Sequence, residues 1–195
     1  MPSDHGAAGE TVIRVDANDR EIGTAAKGAS HDGAGLLHRA FSVHIVDPLG
    51  RILVQRRSAG KRLWPGFWSN SCCSHPRPGE ATAEAVRRRV GEELGLAIEA
   101  PEYLYKFQYH AAFGAAGSEH EICWVYLARS AQDPTPNPVE IAEWGWWSPA
   151  ELSRRLADDG ERLFTPWFRQ EWAELRGRFA ARLAALGAAP IDPES

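Results

Sequence analysis

The chain has 195 residues, with 22 Lys and Arg against 26 Asp and Glu, giving a net charge of −4 at neutral pH. That length suits one domain with a substantial core, and the lack of a basic excess argues against nonspecific binding to nucleic acid. No apolar run approaches the ~18 residues of a membrane span, the start lacks the basic-then-apolar pattern of a signal peptide, and three cysteines with two adjacent make no disulfide framework; a cytoplasmic protein, monomeric and free of membranes, is expected.

Residues 1–10 and 187–195 read as tails around a single domain at 11–186. Residues 11–15 suit a strand, and Asp16, Ala17, Asn18 and Asp19 a turn into a second short one. Small residues make 27–35 a loop. Phe41, Val43 and Ile45 alternate with Ser42, His44 and Val46, a strand pattern, and the Asp47-Pro48-Leu49-Gly50 turn joins it to a partner at 51–57 as a hairpin.

An aromatic run from Trp64 to Trp68 leads through a Cys/His block into a helix between Thr82 and Gly95. Thr82 is placed to cap it, Ala85, Val86, Val90 and Leu94 recur at helical spacing, and Gly95 stands just past its end. Arg88–Glu92 and Arg89–Glu93 form i,i+4 pairs, each worth ~0.3 kcal/mol if exposed. By spacing alone they describe a solvated face, but adjacent carboxylates after a Cys/His loop also suit a hard cation or a diphosphate.

Strands follow at 103–110 and 121–129 around a Gly/Ala loop, then a Pro-rich loop at 133–138. A short strand at 144–147, a helix at 149–156 and one long amphipathic helix at 164–186 complete the chain. Strands and helices mixed in this order indicate an α/β/α layered domain. The eight tryptophans suit either an aromatic-lined pocket or plain core.

His31 and His38 lie outside strong periodic elements, where a histidine is usually structural. Glu119 and Glu121 are two apart at a strand start, so both side chains share a face. Added to His31, His38 and His75 they make three imidazoles and two carboxylates, a set suited to octahedral Mn²⁺ or Mg²⁺, or to Zn²⁺.

Glu80, Arg88-Arg89-Val90, Glu92-Glu93 and Gly95-Leu96 resemble the Nudix box, with Ser74 in place of its first glycine and Arg89 in place of a glutamate. Together with Asn70-Ser71-Cys72-Cys73-Ser74-His75-Pro76, this is similar to the type 1 isopentenyl-diphosphate isomerase branch of the Nudix superfamily, over about residues 20–175. The resemblance implies a Nudix-type mixed β-sheet flanked by helices, and a His3Glu2 metal site at His31, His38, His75, Glu119 and Glu121. It further implies Cys73 and Glu121 as the acid–base pair, Tyr109 as an aid to Glu121, and Trp167 as a π face for a cationic intermediate. Lys27, Arg57, Lys61 and Arg89 would meet a small-molecule diphosphate substrate, with Glu93 helping to hold a second Mg²⁺ beside it. Cys72 receives no role. The rival activities, a nucleotide-cleaving Nudix hydrolase and a closed zinc module, fit the Arg89 substitution and the scattered, carboxylate-rich ligands less well.

Overall fold

The structure is a computed structural model that describes residues 10–159 and 162–188. Among the described residues, nine strands form one mixed sheet around β3 (His38–Val46). β3 is antiparallel to β1 (Thr11–Val15) and β6 (Cys72–Ser74), and parallel to β8 (Ser118–Arg129) along its whole length. β2 (Glu21–Ala26) pairs with β1, and β7 (Glu102–Ala112) pairs with β8. β4 (Ile52–Arg57) carries β5 (Trp68–Ser69) and β9 (Ile141–Trp147). The expected hairpin of 41–46 with 51–57 is real only at its turn: Val46 pairs with Ile52, and β4 then departs to β5 and β9.

The alternation along β3 separates two buried layers rather than core from solvent. Phe41, Val43 and Ile45 pack with Ala85, Val86, Val90 and Leu94 of α2 (Thr82–Leu94) on one face. On the other face lie α3 (Pro149–Asp158) and α4 (Pro166–Gly177), whose Leu152, Phe168 and Leu175 join Val46, Ile52 and Val54. The mixed sheet between helical layers is the α/β/α arrangement expected. Burying these side chains at roughly 25 cal/mol per Å² of apolar surface is the main source of stability.

Three local expectations are corrected. Thr82 is the first helical residue, with Ala81 in the cap position and no side-chain cap; the Thr82 hydroxyl bonds Tyr126 instead. The supposed loop at 27–35 begins with a short helix, α1 (Lys27–Ser30), whose Lys27 carbonyl receives the His31 ring. The long helix at 164–186 is two: α4 ends at Gly177, and α5 (Ala180–Ala188) follows after Phe179 turns to stack on Tyr105, with ring centroids 5.3 Å apart and 11° between planes. The C-terminal tail expected from 187 therefore starts inside α5, while Glu10, expected in the N-terminal tail, pairs with Lys27 at 2.8 Å. The rest of both tails lies outside the described residues. Gly95 does close α2 in the left-handed conformation, at φ 66°.

Candidate active site

Strand register assembles the site. In the β3–β8 ladder His38 stands opposite Glu121, and in β7–β8 Tyr109 stands opposite Glu121 and Ala111 opposite Glu119. In β3–β6, Ser42 stands opposite Cys73 and Val43 opposite Cys72. The start of β8 is tied to the α1 loop by Ser118 N–H donating to the His31 carbonyl at 3.0 Å. Gly117 adopts φ 135°, and a Cβ there would overlap that same carbonyl oxygen, so only glycine fits.

His31 and His38 each donate Nδ1–H to a backbone carbonyl, Lys27 O at 2.8 Å and Leu36 O at 2.7 Å, which turns both Nε2 lone pairs inward. There His38 Nε2 lies 3.1 Å from His75 Nε2, and Glu121 Oε1 lies 3.0 Å from His75 Nε2 and 3.4 Å from His38 Nε2. Ligand atoms of His31, His38, His75 and Glu121 all fall within 4.8 Å of one another. Glu119 reaches the group through His31, at 2.9 Å but off the line of a hydrogen bond, leaving Glu119 Oε2 and His31 Nε2 without hydrogen-bond partners. Buried lone pairs crowded together in this way repel one another unless a cation lies between them, so the donor set fits a divalent metal.

The electrostatics follow from burial and neighbours. Burial and the adjacent His38 push His75 well below its ordinary value, leaving it neutral. Burial lowers His31 too, but the contact with Glu119 outweighs it and the ring ends above its ordinary value. Burial alone would raise Glu121, yet His38 and the Tyr109 hydroxyl, which donates at 2.6 Å, hold it below the usual carboxylate value. Burial beside that carboxylate drives Tyr109 well upward. Burial, then the charge of Glu171, pushes the Cys73 thiol up to about 12, so the sulfur keeps its hydrogen.

Cys73, Tyr109 and Trp167 line one cavity with His31, His75, Glu119 and Glu121, and with Lys27, Arg57, Lys61, Arg89 and Glu93. His38 is wholly buried behind the other ligands. The cavity thus gathers His38's partners and the other candidate metal, acid–base and diphosphate residues expected from the sequence. Trp167 Nε1–H donates to Cys73 Sγ at 3.2 Å, and its ring lies 5.9 Å from that of Tyr109, so Cys73 and Tyr109 are linked through one aromatic wall. Arg57 lies 5.5 Å from the Trp167 ring centroid, so this ring already carries a cation.

Each of the four cations has a partner. Lys27 bonds Glu10, Arg57 bonds the carbonyls of Leu63 and Trp64, and Lys61 pairs with Glu140. Arg89 reaches Glu93 at 2.5 Å, Glu92 at 2.7 Å and Glu140 at 3.2 Å. Burial raises Glu140, but Lys61 and Arg89 hold it down to about 2. Sequence reasoning missed Glu140, which follows a Pro-rich loop with no periodic signal. It also missed Trp64, which adopts φ 47°, a conformation rare outside glycine, and packs its ring 5.2 Å from Trp167. Arg62 bonds Gly28 O, Ala116 O and Asp32, joining α1 to the turn before β8.

Comparison with known proteins places this geometry. The NUDIX domain family matches residues 36–168. An isopentenyl-diphosphate delta-isomerase of Photorhabdus laumondii is 42% identical over 167 residues, covering 85% of this chain and 94% of its own. One from Frankia alni is 44% identical, covering 84% and 82%, and one from Agromyces mediolanus is 38% identical, covering 100% and 92%. Among solved structures, DR0079 from Deinococcus radiodurans superposes with a TM-score of 0.68 at 22% identity, over 85% of this chain and 98% of that one, a likeness of fold. The NUDIX match and these relatives together show that the chain belongs to the isopentenyl-diphosphate delta-isomerase family of the NUDIX superfamily.

Proposed function

We propose that the protein interconverts isopentenyl diphosphate and dimethylallyl diphosphate, moving the double bond by adding one proton and removing another. The observation that supports it is the placement of Cys73 and the Tyr109–Glu121 pair in one aromatic-walled cavity beside four cations. A flat alkene needs an acid and a base on opposite faces, and no redox group. Proton addition at the terminal carbon leaves positive charge on the tertiary carbon, and loss of a proton from the carbon beside CH2–O restores the alkene. Trp167 and the buried Glu121 carboxylate supply the electron-rich surroundings for that charge.

As found, one proton rests on Cys73 and Glu121 is ionised. That is the state left after Glu121 has given a proton to isopentenyl diphosphate and Cys73 has taken one, and the state that begins the reverse direction. Tyr109, bonded to Glu121 at 2.6 Å, is placed to return a proton to it.

His31, His38, His75, Glu119 and Glu121 would hold Mn²⁺, Mg²⁺ or Zn²⁺. A metal there would supply a fixed positive charge that orients Glu121 and sets its basicity. Lys27, Arg57, Lys61 and Arg89 would exchange their present partners for diphosphate oxygens, with Glu93, freed from Arg89, binding a Mg²⁺ carried by the substrate.

Proton NMR of isopentenyl diphosphate in D2O with the protein and Mg²⁺ tests the reading. Dimethylallyl diphosphate carrying deuterium in a methyl group is expected. Release of phosphate from nucleoside diphosphates without any isomerisation would replace it with hydrolysis.

A further inference from the structure

We propose that Asn70 is a positioning residue for Cys73, receiving the thiol hydrogen and holding it outside the cavity between turnovers. This rests on the reading of Cys73 as an acid–base group. Asn70 is wholly buried and does not line the cavity, whereas Cys73 does. Its amide orientation is forced. Nδ2 donates to the carbonyls of Cys72 at 2.9 Å and Val43 at 3.3 Å, groups that only accept, so a flipped amide would set oxygen against two oxygens. Oδ1 must therefore face the sulfur, at 2.7 Å from Cys73 Sγ, while also accepting from the Ser69 hydroxyl at 3.0 Å. An amide oxygen can only accept, so the hydrogen of this contact comes from the thiol.

The sulfur also meets a donor that cannot accept, Trp167 Nε1–H at 3.2 Å. Ser42 Oγ lies 3.4 Å away, directly across the β3–β6 ladder. The hydrogen thus points at Asn70 and an electron pair at Trp167, which clamps rotation about Cβ–Sγ. The Val43 carbonyl that orients Asn70 comes from the residue paired with Cys72, so one strand register builds both halves of the clamp.

In the reaction the sulfur starts as the thiolate: a C–H bond of the substrate breaks, its electron pair enters the new C=C bond, and the proton joins a sulfur lone pair to form S–H. Rotation about Cβ–Sγ then carries that hydrogen to Asn70 and away from the product. In the reverse direction it turns back into the cavity.

Raman spectroscopy of the metal-loaded protein reads the thiol directly. The S–H band present in wild type and absent in Cys73→Ala is expected at the low-frequency, strongly hydrogen-bonded end of the thiol range. In Asn70→Ala it should rise toward the free value, and kcat should fall by roughly 10–100-fold with KM unchanged, the scale of a misaligned reacting group. A free-thiol frequency in the wild-type band, or wild-type kcat in a folded Asn70→Ala, overturns the assignment. If Asn70→Ala does not fold, the wild-type band decides alone. Wild-type turnover in Cys73→Ala would instead sink the acid–base role of the thiol, whatever the band position.

Discussion

Cys72 and Cys73 are neighbours in the chain and lie on opposite faces of the sheet. Cys72 is wholly buried in the layer against α2, and Cys73 opens into the cavity beneath Trp167. Cys73→Ala is expected to leave folding and metal content intact while lowering isomerisation by about 10²–10⁴-fold. Cys72→Ala should cost at most ~1–2 kcal/mol of stability at near-normal turnover. Steady-state assays and urea melts of both variants check this, and the reverse ranking would move the reacting thiol to Cys72.

Removing metal should abolish turnover. Elemental analysis is expected to find about one tightly held divalent ion per chain, lowered in His75→Ala, whose ring touches both His38 and Glu121. Activity that survives exhaustive chelation would show that His31, His38, His75, Glu119 and Glu121 form a buried polar cluster only.

Arg89→Glu brings the Nudix box closer to its usual form but adds a carboxylate beside Glu92, Glu93 and Glu140. Diphosphate binding should weaken by ~2–4 kcal/mol, with no gain of nucleotide hydrolysis. An unchanged Kd by calorimetry would place Arg89 away from the substrate.

Glu140, depressed to about 2, gives the protein an acid-sensitive element. A depressed carboxyl stabilises the fold above its ordinary value near 4.5, and that contribution is lost as pH falls toward about 2. Glu140→Gln should flatten the stability–pH curve in this window, by at most about 1.4 kcal/mol per pH unit. Parallel curves for wild type and variant would mean that Lys61 and Arg89 do not hold this carboxylate in solution.

His44 Nε2 and Glu171 Oε2 are hydrogen-bonded at 2.9 Å with both side chains fully buried. Removing one partner strands the other, so Glu171→Ala should cost about 3–5 kcal/mol, while the paired change His44→Phe with Glu171→Leu should cost much less. Chemical denaturation distinguishes them; equal losses would show that packing rather than charge is at stake.

Much of this architecture is legible in the chain because β3 and α2 obey their own periods. Phe41, Val43, Ile45 and Ala85, Val86, Val90 find each other as their spacing requires. The break between α4 and α5 is not legible, because the apolar spacing runs on through it. What ends the helix is Phe179 stacking on Tyr105, a residue more than 70 positions away. The site divides in the same way. Groups drawn from motif blocks, such as Cys73 and His75, could be named in advance. Glu140, Trp64 and Ser42 meet the site only through strand pairing and turn geometry, which leave no local mark.

Gly117 also bears on how faithfully the sheet assembles. Glu119 and Glu121 share a face, so sliding β8 by two residues, with Glu119 in the place of Glu121, would keep a carboxylate opposite His38 and Tyr109 and would look almost right to the folding chain. That slide would bring Ala115 to the position of Gly117, where any Cβ collides with the His31 carbonyl. The glycine therefore acts as a mechanical stop. It makes a near-copy of the native sheet sterically impossible in that direction, and it ties the correct pairing of β8 to the placement of His31.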